Sequence, residues 1–173
     1  KLATDIFEGL TEFYELATDD IRLLDAAARM QDVGYLINYE GHHKHSYHLI
    51  LHCSLESFRP EELEIIANVA RYHRGAEPKN KHKNFRMLSK EDQLRVTQMA
   101  AILRLASGFD RSYSQAVQAV EIHGSKKQIE LVVSAELYPE VDIWAARRRA
   151  GMFEKVFQAE LAIIWNGQTV LTK

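Results

Sequence analysis

Apolar residues recur at three- and four-residue spacing from the first turn of the chain: Ile6, Leu10, Phe13, Tyr14 and Ala17, then Leu23, Leu24, Ala27, Ala28, Met30 and Val33. That spacing lines one face of a helix, so two helices are expected, the first over residues 4–18, with Asp19 or Asp20 capping the second. Tyr47, Leu49, Ile50 and Leu51 continue a helical pattern over residues 42–53. Pro60 has no N–H to leave unpaired and suits the first turn of a fourth helix, whose face carries Leu63, Ile66, Ala67 and Ala70 before Gly75 and Pro78 end it. Ser89 followed by Glu91 and Asp92 reads as a cap with acid in the first turn. Leu94, Met99, Ile102, Leu103 and Leu105 then form the stripe of a long fifth helix reaching about Phe109.

After Ser112 the period changes. Residues 117–123 and 128–134 alternate apolar with polar across Gly124, Ser125, Lys126 and Lys127, which predicts a hairpin. Residues 142–158 return to helical spacing, 161–165 read as a strand, and Asn166-Gly167 is a turn into a last strand over 169–171. The expected architecture is therefore mainly α: a helical domain over residues 1–113, then a small α+β domain over 114–173.

Composition narrows the function classes. With 46% hydrophobic and 27% charged residues over 173 positions, the chain can bury a core as a globular protein. The single cysteine, Cys53, excludes an internal disulfide and CxxC-type metal or redox sites, and a cytoplasmic setting fits. No apolar run approaches the roughly 20 residues that cross a bilayer, so no membrane is expected. The lack of an initiator Met suggests a piece of a longer chain. A formal charge of −2 hides a segregation: residues 1–70 hold 13 acidic and 5 basic side chains, whereas residues 71–86 hold Arg71, Arg74, Lys79, Lys81, Lys83 and Arg86 against Glu77 alone. A local basic segment on a mildly acidic protein points to a specific anion and away from general nucleic-acid coating.

Candidate chemistry concentrates in residues 30–52, where His42, His43, His45, His48 and His52 follow Asp32. Histidine can ligate a metal, move a proton or bind phosphate, and an aspartate about one helix away supplies a hard oxygen; the same histidines also fit a hydrated helix start, and spacing does not choose. An Asp on the second helix, a histidine cluster, ARYHR on the fourth helix and LRLASGFDRS on the fifth together resemble an HD-domain fold. Typical HD phosphohydrolases hold a divalent metal with an early His, an adjacent His-Asp pair and a late Asp. The resemblance places Asp32 as the pair's Asp and Asp110 as the late one. Gln31 stands where the pair's His belongs, and residues 4–18 contain no His. His43, His45 or His73 could replace the missing imidazoles only if the fold brings them to the two aspartates.

Three segments, QDVGYLINYEGHHKHSYHLI, SFRPEELEIIANVARYHRGAEPK and LRLASGFDRS, are similar to the C-terminal region of the exopolyphosphatase/guanosine pentaphosphate phosphohydrolase family. The resemblance implies an HD-like region that contributes to a polyphosphate channel and to a homodimer. It also implies that hydrolysis belongs to N-terminal actin-like lobes with glycine-rich phosphate loops and magnesium, which the eight scattered glycines here do not provide. The expectation is a substrate-binding, regulatory and dimerisation region of a phosphatase acting on polyphosphate or guanosine pentaphosphate. It would be inactive alone, have no catalytic residue or cofactor of its own, and bind phosphate through Arg71, His73, Arg74, Lys79, Lys81, Lys83 and Arg86 with His43 and His45. The rival expectation is an HD-type metal-dependent phosphohydrolase acting on a nucleotide, with Asp32 and Asp110 as ligands.

Overall fold

A computed structural model describes residues 1–170. The chain divides into two compact units, Asp19–Leu103 on one hand and Lys1–Thr18 with the chain from Arg104 onward on the other. This division cuts elsewhere than the change of hydrophobic period at 113/114. The period marks where helix gives way to strand; compactness follows which faces pack, and helix α1 (Leu2–Leu10) packs on strand β1 (Ala119–Ser125). Gly9 makes that approach possible, since a Cβ there would lie 2.5 Å from Ile122 Cγ1.

The Asp19–Leu103 unit is helical: α2 (Asp20–Met30), a 3-10 turn (Val33–Leu36), α3 (His42–His52), α4 (Pro60–Arg71), α5 (Lys83–Arg86) and most of α6 (Lys90–Ala106). Helix α4 packs on both α2 and α3, and the 3-10 turn packs on α3. Leu23, Leu24, Ile50, Ile66, Val69, Val96, Met99 and Ile102 fill the interior. Burying each such side chain contributes about 1.5–3 kcal/mol relative to exposure. Several boundary signals act as expected. Pro60 opens α4, and the Ser89 hydroxyl accepts the Asp92 N–H at 3.0 Å at the start of α6. Others do not. Asp19 makes no side-chain cap, and Asp20 is buried with Arg95 Nε donating to it at 2.9 Å. Leu94, expected on the buried stripe of α6, is exposed, and Val96 takes the inner face.

In the other unit, α1 ends at Leu10 rather than continuing to residue 18. Phe13 and Tyr14 repeat at helical spacing because the following turns pack them: the Tyr14 hydroxyl donates to the Lys126 and Phe157 carbonyls at 2.6 and 3.0 Å. Strands β1, β2 (Gln128–Ser134), β3 (Glu160–Trp165) and β4 (Gln168–Thr169) form one sheet in that order. The expected hairpin is present, with β1 antiparallel to β2 and Ser125 opposite Gln128. Strand β3 runs parallel to β2, a connection that requires a crossover, which α7 (Glu140–Phe157) supplies. Alternation puts Ile129, Leu131 and Val133 of β2 and Leu161 and Ile163 of β3 in the interior with Ile143, Phe153 and Phe157 of α7. The expected last strand over 169–171 is met at Thr169, and Leu171 lies outside the described residues. The chain is mainly α and ends in a small α+β arrangement, as the pattern anticipates.

Candidate functional site

The start of α3 is built from a four-residue repeat. Ile50 is in the core, and stepping back by four reaches Ser46 and then His42, so all three lie on the buried face. Ser46 ties the preceding turn to that face: its hydroxyl donates to the Gln31 carbonyl at 2.6 Å and accepts the Gly34 N–H at 2.9 Å. Gly34 sits so close to α3 that a Cβ there would stand 2.0 Å from the His42 carbonyl oxygen. Asp32 lies between the two tied residues and is thereby held against His42. Two tyrosines flank the imidazole: the Tyr35 ring is tilted 35° against His42 with 3.9 Å between centroids, and it stacks on Tyr39 at 5.5 Å.

The third member arrives from the end of α4. His73 lies just past the helix, and its Nδ1 donates to the Ala70 carbonyl at 2.7 Å, while His42 Nδ1 donates to the Tyr39 carbonyl at 3.1 Å. Both rings present Nε2 to one carboxylate oxygen: Asp32 Oδ1 is 3.1 Å from His42 Nε2 and 3.7 Å from His73 Nε2. The three candidate ligand atoms all lie within 4.8 Å of one another. His73 is buried, and burial pushes its pKa down to about 3, against the pull of its bond to the Ala70 carbonyl. His43 stands edge-on to both rings and is pushed down to about 4, first by burial and then by the Arg74 charge.

Two of the expected site residues come together within one unit. Asp32 and His73 meet, with His42, which the sequence reading passed over, as their partner. Asp110, the other expected metal ligand, belongs to the other compact unit. Burial holds the imidazoles of His43 and His73 below the ordinary histidine range, at about 4 and about 3, so both are neutral at neutral pH. His45 lies three residues beyond His42 on α3 and joins no ligating cluster among the described residues. The signal that selects His42 over His43 is the step of four from Ile50; adjacent helical residues point about 100° apart, so only one of the pair can face Asp32.

The basic segment after α4 also resolves into two parts. Arg71 turns inward over the rings of Tyr47 and Tyr72 at 5.7 and 5.8 Å, a cation–π arrangement. Arg74, Lys79, Lys81, Lys83 and Arg86 are exposed. The backbone that carries them is pinned: Tyr72 Oη and His82 Nδ1 are 3.0 Å apart, Asn84 Nδ2 donates to Asn68 Oδ1 at 2.6 Å, and Phe85 is buried. Residues 81–86 thus form a short anchored turn and helix, not the open loop that their charge suggests.

Residues 1–145 match the family described as Ppx/GppA phosphatase, domain III. A curated guanosine-5'-triphosphate,3'-diphosphate pyrophosphatase of Pseudoalteromonas translucida (strain TAC 125) is 34% identical over 58 residues, which is 34% of this chain. The matched stretch spans only 12% of that relative's length. Matched over 145 of its 173 residues, the chain belongs to the Ppx/GppA phosphatase family and carries its domain III.

Proposed function

We propose that this domain is the C-terminal, HD-like substrate-binding, regulatory and dimerisation region of an exopolyphosphatase-type phosphatase acting on polyphosphate or guanosine pentaphosphate. The observation that carries the reading is the anchored row of exposed cations Arg74, Lys79, Lys81, Lys83 and Arg86. A polyphosphate carries a charge at every phosphate, and cations held in series along a fixed backbone neutralise successive phosphates and release their counterions. Arginine adds two-pronged hydrogen bonding to phosphate oxygens, while lysine acts as a point charge. The pyrophosphatase named among the relatives supports a guanosine polyphosphate as the alternative ligand. In this reading a carboxylate and magnesium activate water in actin-like lobes outside this chain, and domain III holds the substrate's length and pairs with a second copy.

Chain length is the test. Isothermal titration at fixed salt with orthophosphate, triphosphate and long-chain polyphosphate should show affinity rising with each added phosphate that reaches a cation. Equal binding of triphosphate and long-chain polyphosphate, counted per mole of chain, contradicts a path and leaves at most a single phosphate pocket.

A further inference from the structure

The meeting of Asp32, His42 and His73 is not used by the polyanion reading, and its hydrogen bonding is specific. A neutral imidazole has one N–H. In both rings that N–H is Nδ1, spent on the Tyr39 and Ala70 carbonyls, which accept and cannot donate. Each Nε2 therefore presents a lone pair, and Asp32 Oδ1 stands 3.1 and 3.7 Å from them. His42 Nε2 is buried without a hydrogen-bond partner. A cation among these three atoms would take both Nε2 lone pairs and the carboxylate oxygen as ligands, and two of the three atoms sit on rings only 1% and 4% exposed.

We propose that Asp32, His42 and His73 bind one divalent transition-metal ion of the zinc and manganese class. Two imidazoles and a single carboxylate suit such ions; magnesium and calcium prefer oxygen donors throughout. Ligand atoms held about 2.0–2.2 Å from one ion stand about 3.0–3.5 Å apart, and the two distances to Asp32 Oδ1 already lie close to that range. The backbone carbonyls on Nδ1 fix the tautomer and aim of each ring, as outer partners of metal-bound histidines do. The Ser46 clamp does the same for Asp32. This donor set differs from the early His, His-Asp pair and late Asp of the HD pattern. Its imidazoles come from the start of α3 and the end of α4, and all three ligands lie within one compact unit. Asp32 is 37% exposed on its side chain, so its carboxylate is reachable from solvent.

The test is metal binding by the tag-free 173-residue chain after chelator treatment, read by isothermal titration with zinc and by the visible absorption of cobalt. The expected result is one ion per chain and a cobalt ligand-field band. Asp32→Asn, His42→Ala and His73→Ala should each weaken zinc binding 10-fold or more, while His48→Ala, on the exposed side of α3, leaves it unchanged. Asp32→Asn keeps the size and shape of a partly exposed side chain, so it decides the matter even if a buried histidine variant fails to fold, and circular dichroism checks the fold of each. No saturable binding, or zinc affinity unchanged in Asp32→Asn, overturns the proposal.

Discussion

Replacing Ser46 by alanine tests whether one hydroxyl holds the Asp32 turn in place. The side chain is fully buried, donates to the Gln31 carbonyl at 2.6 Å and accepts the Gly34 N–H at 2.9 Å. Losing the partner of the buried Gly34 amide costs about 1–3 kcal/mol, and losing the hydroxyl bond to Gln31 about 0.5–1.5 kcal/mol more. The expected loss is about 2–4 kcal/mol, or a melting temperature lower by about 4–16 °C at roughly 2–4 °C per kcal/mol for a chain of this size. Thermal melting and urea unfolding followed by circular dichroism measure it. A loss below about 0.5 kcal/mol, the ordinary range for a surface substitution, would show that the turn is held by other contacts.

Stability should also fall with acid. His43 and His73 are held near 4 and 3, below the unfolded value of about 6.5, so the unfolded chain binds more protons between those limits. Their contribution is complete above about pH 6.5 and is lost as pH drops, with a slope of up to about 1.4 kcal/mol per pH unit from His73. Urea midpoints from pH 7.5 to 5 should decline and His73→Asn should flatten the decline; a flat wild-type profile refutes the neutral histidines. The chain alone should release no phosphate from polyphosphate or guanosine pentaphosphate with magnesium or manganese. Turnover that disappears in Asp32→Ala would instead make it an HD-type phosphohydrolase. Light scattering should give twice the 19.9 kDa chain mass, and a concentration-independent 19.9 kDa would exclude the dimer.

Helix positions were readable because burial follows period: Leu23, Leu24 and Ile66 lie inside as their spacing requires, and Ser89 and Pro60 mark true helix starts. The first helix was overestimated because Phe13 and Tyr14 keep helical spacing while packing from turns. The grouping of α1 with the sheet was not readable, since pairing of α1 with β1 joins residues more than 100 positions apart and local pattern carries no trace of it. At the site, Asp32 and His73 were recognisable by residue type. His42 was hidden because neighbouring histidines offer equal chemistry, and only the backbone decides which one faces Asp32. Charge counting found the basic segment but could not see that Arg71 is drawn onto Tyr47 and Tyr72, or that burial strips His43 and His73 of their charge.

The cationic row is tested most directly by the salt dependence of polyphosphate binding. Isothermal titration of long-chain polyphosphate at several salt concentrations should give a steep log–log slope, and replacing Lys79, Lys81 and Lys83 together by alanine should flatten it by about three units, at roughly one per phosphate contact. The three side chains are exposed, so the variant should fold as the wild type does. A slope unchanged in the folded triple variant would contradict the polyanion path and return these lysines to a solvated surface.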